Sequence, residues 1–187
     1  TMFGQVAGDA ALSTGGAFPG DLLVQVGPLA LEGTAVLATE HRAALLGHFS
    51  KEELGEATRL LDSPGICVLG PARTLMSISG VHALHDPTEG GIATAIREMG
   101  GASGCGVEVF RAQMIEHEIT MRICGHLGLD ALGVIASGCL LAAVSDAAVD
   151  NALTSLVHAG YDAKVIGSFT GGSEFVLHDR DGKAAEL

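Results

Sequence analysis

The chain has 187 residues, 48% hydrophobic and 17% charged, with 22 acidic against 10 basic residues and a net charge of −12. That length allows one domain with a real core, and that apolar content excludes a disordered polymer. The acidic balance and the lack of a basic run argue against nucleic acid and against an anionic membrane as partners.

Aromatics make up only 4% and there is no Trp, so Ala, Val, Leu and Ile must build the core. The 27 glycines predict tight backbone packing and many turns. Four cysteines stand at positions 67, 105, 124 and 139, none in C-x-x-C spacing and each among apolar or small residues. They read as buried free thiols in a reducing cytoplasm, with Cys105 between two glycines as the first candidate for reactivity. No secretory signal pattern opens the chain. The longest uncharged apolar stretch, between Asp130 and Asp146, is shorter than the roughly 20 residues that span a bilayer. It reads as a buried strand with its approach.

In chain order, residues 1–20 are small, polar and Gly-rich, as in an interdomain linker, and 21–187 form one domain. DLLVQVG (Asp21–Gly27) predicts a strand, followed by a helix over Gly33–Leu46 with apolar residues at helical spacing. Ser50-Lys51-Glu52-Glu53 fits a capping box opening a helix to about Leu61. Asp62-Ser63-Pro64-Gly65 is a turn, and Pro71 starts a helix that ends near Gly80. A strand over Val81–His85 and a helix over Pro87–Met99 come next. Gly106–Phe110 predicts a strand and Gln113–His126 a helix. GCLLAAV (Gly138–Val144) is a strand, and Ser145 caps a helix over Asp146–Ala159. Strands over Tyr161–Gly167 and Glu174–His178, a turn at Asp179–Gly182 and a short tail complete the chain. The alternation predicts an α/β domain, of α+β sandwich type, with helices packed on a mixed sheet.

The stretch HDPTEGG (His85–Gly91) poses a physical question. Asp86 suits an N-cap, Pro87 the first helical position and Glu89 a capping-box partner. Gly90 and Gly91 then weaken the first turn, each by roughly 0.5–1 kcal/mol against Ala. Two explanations stand. A neighbouring piece of chain packs closely there, or a ligand sits on the N–H groups of the helix mouth, which favours anions. Asp86 and Glu89 repel a bare phosphate, but Mg²⁺ between carboxylate and phosphate removes the objection. Gly27-Pro28-Leu29-Ala30-Leu31-Glu32-Gly33 is a similar strand-to-helix turn, readable as tight packing or as a weak phosphate loop. It lacks both the P-loop and the dinucleotide pattern. Of the eight histidines, His82 and His85 fall on opposite faces of a strand, and Glu116-His117-Glu118 reads as a solvated helix surface. Neither arrangement predicts a metal held by protein ligands alone.

PGDLLVQVGPLALEGTAVLA (Pro19–Ala38), VHALHDPTEGGIATAIREM (Val81–Met99), GASGCGVEV (Gly101–Val109) and SGCLLAAV (Ser137–Val144) resemble a known family. It is the AIR synthase (PurM-like) superfamily in its C-terminal domain, and the branch most resembled is the HypE-type hydrogenase-maturation carbamoyl dehydratases. The resemblance implies two-domain, homodimeric, cytoplasmic proteins whose N-terminal domain supplies most of an ATP and Mg²⁺ site. It further implies ATP-dependent phosphorylation of an amide or carbonyl oxygen. Carried onto this chain, it implies that Asp86, Thr88, Gly90 and Gly91 line the cleft, with the loop from Gly27 to Gly33 beside it. Asp86 would help hold Mg²⁺ through phosphate. The ATP-binding domain is then expected in the same polypeptide ahead of Thr1, and this domain alone is expected to be inactive and to hold no cofactor tightly.

Two departures stand out. Glu89 occupies the place where the dehydratases carry Arg, and the chain ends Ala184-Ala185-Glu186-Leu187 without their terminal cysteine. They motivate a second reading, a non-catalytic binding or assembly module of the same fold. A third is a metal chaperone using His82, His85 and Asp86.

Overall fold

The computed structural model describes residues 11–187, in which seven strands form one sheet. The strands are β1 (Leu22–Val26), β2 (Val81–His85), β3 (Gly106–Phe110), β4 (Leu140–Val144), β5 (Ala163–Thr170), β6 (Phe175–His178) and β7 (Ala184–Glu186). Their spatial order is β2-β4-β1-β5-β3-β6-β7. The β3–β6 pair is parallel and the others antiparallel, so the sheet is mixed, as the alternation predicts.

The centre of the sheet explains the most apolar stretch of the sequence. All five residues of β4 are buried because helices cover both faces. Leu141 and Ala143 face a cluster with α5 (Gly91–Ser103) and α6 (Glu118–Leu127), through Ile92, Ile96, Met99 and Cys124. Leu140, Ala142 and Val144 face the opposite cluster, with α4 (Leu69–Met76) and α7 (Asp146–His158), through Leu75, Val149, Ala152 and Leu156. A third cluster joins α1 (Leu31–Glu40), a short α2 (Arg42–Leu45) and α3 (Lys51–Arg59) to α6, through Leu31, Ala38, Leu45, Leu54 and Ile123. The α3 capping box forms as predicted: Glu53 N donates to Ser50 Oγ at 3.1 Å and Ser50 N to Glu53 Oε2 at 2.8 Å.

Several predicted boundaries move, each for a physical reason. The helix over 33–46 starts at Leu31 and breaks at His41 into α1 and α2. The helix assigned to Pro71 begins at Leu69, with Pro71 inside the first turn, where its missing N–H costs nothing. Gln113–His126 is α-helical only from Glu118: Gln113 ends a short 3-10 turn, Met114 leaves it extended, and Met114 and Ile115 are buried. Ser145 precedes α7 as predicted but makes no side-chain cap; its N–H donates to Gly80 O at 2.8 Å. The tail after the Asp179–Gly182 turn adds β7 to the sheet edge.

The largest revision concerns Asp86. The helix predicted from Pro87 begins at Gly91, behind a left-handed Gly90 (φ 81°) that makes no side-chain cap. Asp86 is therefore not an N-cap, nor Glu89 a capping-box partner. The chain from Asp86 to Gly90 is a loop between β2 and α5.

Candidate functional site

β1 and β2 both pair antiparallel with β4, so they run in one direction and deliver the loops that follow them to the same end of the sheet. Gly27 follows β1, and Asp86 to Gly90 follow β2. The predicted positions are thus brought to one edge by topology, although about 60 residues of sequence separate the two loops.

The approach to β4, which the sequence marks only as apolar, holds them there. Its residues 131–138 run beneath both helix starts. A Cβ on Gly91 would lie 2.3 Å from Leu132 O and 2.7 Å from Val134 O, and one on Gly33 would lie 2.2 Å from Val134 Cγ1. A Cβ on Gly27 would lie 2.9 Å from Gly138 O. Hydrogen bonds complete the contact: Gly33 N donates to Ile135 O at 3.1 Å, and Ala136 N donates to Thr88 O at 3.2 Å. Gly91 N donates to the same Thr88 carbonyl at 3.1 Å. Of the two explanations for Gly91, close packing of the protein's own backbone is the one realised. The sequence signal for this was Gly133, the small residue between the two whose carbonyls make the approach.

The rest of the Asp86 loop is open. Asp86, Thr88, Glu89 and Gly90 are exposed, whereas Pro87 and Gly91 are buried. Glu89's own backbone N–H, followed by the Thr88 hydroxyl, holds its carboxyl below the usual carboxylate range. The mouth therefore carries two carboxylates, one hydroxyl and the N–H end of α5. That donor set does not fit a bare phosphate, but it fits an anion bridged by a hard divalent cation, whose oxygen ligands Asp86, Glu89 and Thr88 could supply.

Asp86 borders an apolar cavity of about 420 Å³, walled by Cys67, Leu69, Ala72, Leu84 and Leu140. Gly27 and Gly138 border a second, of about 310 Å³, with Pro28, Pro64, Cys67, His117 and Asp162. Cys67 belongs to both walls. It is exposed, against the expectation of four buried thiols, while Cys105, Cys124 and Cys139 are buried. Burial, then the negative charge of Asp21, pushes the Cys105 thiol up, so Cys105 is not poised to react. Burial pushes Cys139 up to about 12, against a hydrogen bond with Gln25 that lowers it.

The histidines near Asp86 are engaged elsewhere. His82 Nδ1 lies 2.8 Å from Asp21 Oδ2, and His85 meets Glu98 Oε2 at 2.9 Å and Thr14 Oγ1 at 3.0 Å. Among the described residues no group of three His, Cys, Asp or Glu side chains could hold a metal ion. Glu116 and His117 are not on a solvated helix face: they precede α6, and Glu116 Oε1 and His117 Nδ1 are buried with no partner among the described residues. Glu116 is instead paired with Arg180. Among the described residues no helix is long and apolar enough to cross a membrane.

Residues 19–180 match the family described as AIR synthase related protein, C-terminal domain. The chain is 34% identical over 152 residues to carbamoyl dehydratase HypE of Escherichia coli K12, covering 79% of this chain and 41% of that protein. The crystal structure of E. coli HypE, a hydrogenase maturation protein, superposes with a TM-score of 0.77 at 27% identity, over 95% of this chain and 52% of that one. A HypE crystallised in complex with ATP shares the fold, with a TM-score of 0.73 at 24% identity over 98% of this chain and 54% of that one. The chain thus spans about half the length of these relatives. With the sheet order, the sheet-end loops and this match in hand, the chain belongs to the AIR synthase related family and represents its C-terminal domain.

Proposed function

We propose that this chain is the C-terminal half of an ATP-dependent protein that phosphorylates, and so activates, a carbonyl or amide oxygen, with a place in hydrogenase or other metallocentre maturation. An N-terminal ATP-binding domain in the same polypeptide supplies most of the nucleotide site. The complete protein is a cytoplasmic homodimer. Asp86, Thr88 and Gly90 line the cleft between the domains with Gly91 packed behind them, and the loop from Gly27 to Gly33 lies beside it. Thr88 and the N–H groups at the start of α5 contact phosphate or substrate, while Asp86 orients a phosphate-bound Mg²⁺. The bound Mg²⁺·ATP supplies the phosphoryl group. The domain alone neither holds nucleotide tightly nor turns it over.

The observation that carries this reading is the uneven exposure of one loop. Asp86, Thr88, Glu89 and Gly90 stay open at the sheet end, while the residues around them are spent on packing. The likeness to a carbamoyl dehydratase and to an ATP-bound relative supports the choice of chemistry. Calorimetric titration of the complete polypeptide with Mg²⁺·ATP tests it. Saturable binding that weakens about tenfold or more in Asp86→Asn is expected.

A second reading, a binding or assembly module with the chemistry lost, is favoured by one observation. The Glu89 carboxylate adds negative charge where a phosphate must sit, and its depressed pKa keeps it ionised. The absence of binding heat in that titration, with the fold intact, would select it.

A further inference from the structure

Gln25 is fully buried in the middle of the sheet, a costly place for an amide unless every polar atom is paired. Its Nε2 donates to Gly27 O and to Ile115 O, both at 2.9 Å, and its Oε1 accepts from Ile115 N at 3.0 Å. The side chain thus offers Ile115 the donor and acceptor of a neighbouring strand. This accounts for the non-helical course of the chain at Met114 and Ile115, where the sequence predicts a helix. Leu29 N also donates to Ile115 O, at 3.1 Å, and Gly27 N donates to Asp162 O at 2.8 Å. The two segments joined in this way supply Gly27, Pro28, Leu31 and His117 to the walls of the 310 Å³ cavity.

We propose that Gln25 is a positioning residue of the candidate site. Its amide sets the register between the Gly27–Leu31 loop and the Ile115–His117 segment, and so fixes the cavity they share. An apolar side chain of similar size would leave the Ile115 N–H and the Gly27 carbonyl without their partner. The consequence for ligand binding rests on the proposed function, but the test below uses no nucleotide. Failure here leaves that function standing, and failure of the nucleotide titration leaves this assignment standing.

The test compares Gln25→Glu and Gln25→Leu with the unaltered chain by denaturant unfolding and native-state amide exchange between pH 5 and 8. A carboxylate facing two carbonyls is disfavoured, so the folded Gln25→Glu chain retains a proton that the unfolded chain releases above its ordinary carboxyl pKa. The protonated acid can accept from Ile115 N and donate to one carbonyl. The expected result is near-normal stability at pH 5, then a rise of about tenfold per pH unit in the unfolding equilibrium relative to the unaltered chain. Exchange at Leu29 and Ile115 should accelerate before exchange at Leu141 and Ala143 in β4. Gln25→Leu should show the same local loss with no added pH dependence. Three results would overturn the assignment: Gln25→Glu tracking the unaltered chain at every pH, its failure to fold at pH 5, or equal acceleration across β4 and Ile115.

Discussion

Two strand-to-helix turns lie at one end of this sheet, and they are finished differently. Both enter their helix through a left-handed residue, Ala30 (φ 58°) before α1 and Gly90 (φ 81°) before α5. Both place a glycine of the first helical turn against the segment 131–138. The first turn is then sealed: Leu29, Ala30, Leu31 and Gly33 are all buried. The second keeps Asp86, Thr88, Glu89 and Gly90 in solvent. A glycine at a helix start therefore does not by itself signal a ligand. At Gly33 and Gly91 it reports the protein's own backbone passing within van der Waals distance. What separates the turns is the exposed polar loop that only the second retains.

The largest expected effect lies just beyond the sealing segment, at Cys139. Its thiol is pushed up to about 12, so the folded chain keeps a proton that the unfolded chain releases near pH 9. Stability is fully present below that value and falls as pH rises from about 9 towards 12, by several kcal/mol on the order-of-magnitude scale of 1.4 kcal/mol per unit. Denaturant unfolding of Cys139→Ala against the unaltered chain over that range should show a shallower slope, the remainder belonging to Cys105 and Cys124, whose thiols are also pushed up by burial.

Gly91→Ala comes next. Its Cβ would meet backbone oxygens that cannot move away, at a φ of 68°, and a loss of about 3 kcal/mol or more is expected in the same assay. Gly90→Ala would put its Cβ 2.3 Å from Thr94 Oγ1 and 2.8 Å from Thr94 Cβ at a left-handed φ, and should cost about 2 kcal/mol, less than Gly91→Ala because no backbone oxygen is met. Equal costs at the two positions would erase the distinction between packed and open backbone.

The smallest effects on folding belong to the open loop. Asp86→Asn and Thr88→Ala touch exposed side chains and should each change stability by less than about 0.5 kcal/mol. A thermal midpoint that fell as far as for Gly91→Ala would show these residues to be structural after all.

Local chemistry made much of this legible. The apolar run of β4, the Ser50–Glu53 box and the strand over Val81–His85 are each written in adjacent residues, and they form where predicted. The failures share one cause, contact across long sequence distance. Asp86 has the pattern of a helix cap, yet Ala136, 50 positions on, takes the neighbouring Thr88 carbonyl and the helix starts later. Met114 and Ile115 fall in the predicted helix over Gln113–His126, yet the Gln25 amide holds Ile115 outside it. The exposed thiol is Cys67, not one of the three expected alongside it in the core, because it sits on the rim where two cavities meet.

Amide exchange in the complete polypeptide, with and without Mg²⁺·ATP, tests the contrast between the two turns most directly. Protection should rise over Thr88 to Thr94 and stay unchanged over Leu29 to Thr34. Unchanged exchange at the first stretch, or equal gains at both, would contradict the assignment of the open loop as the ligand-facing one.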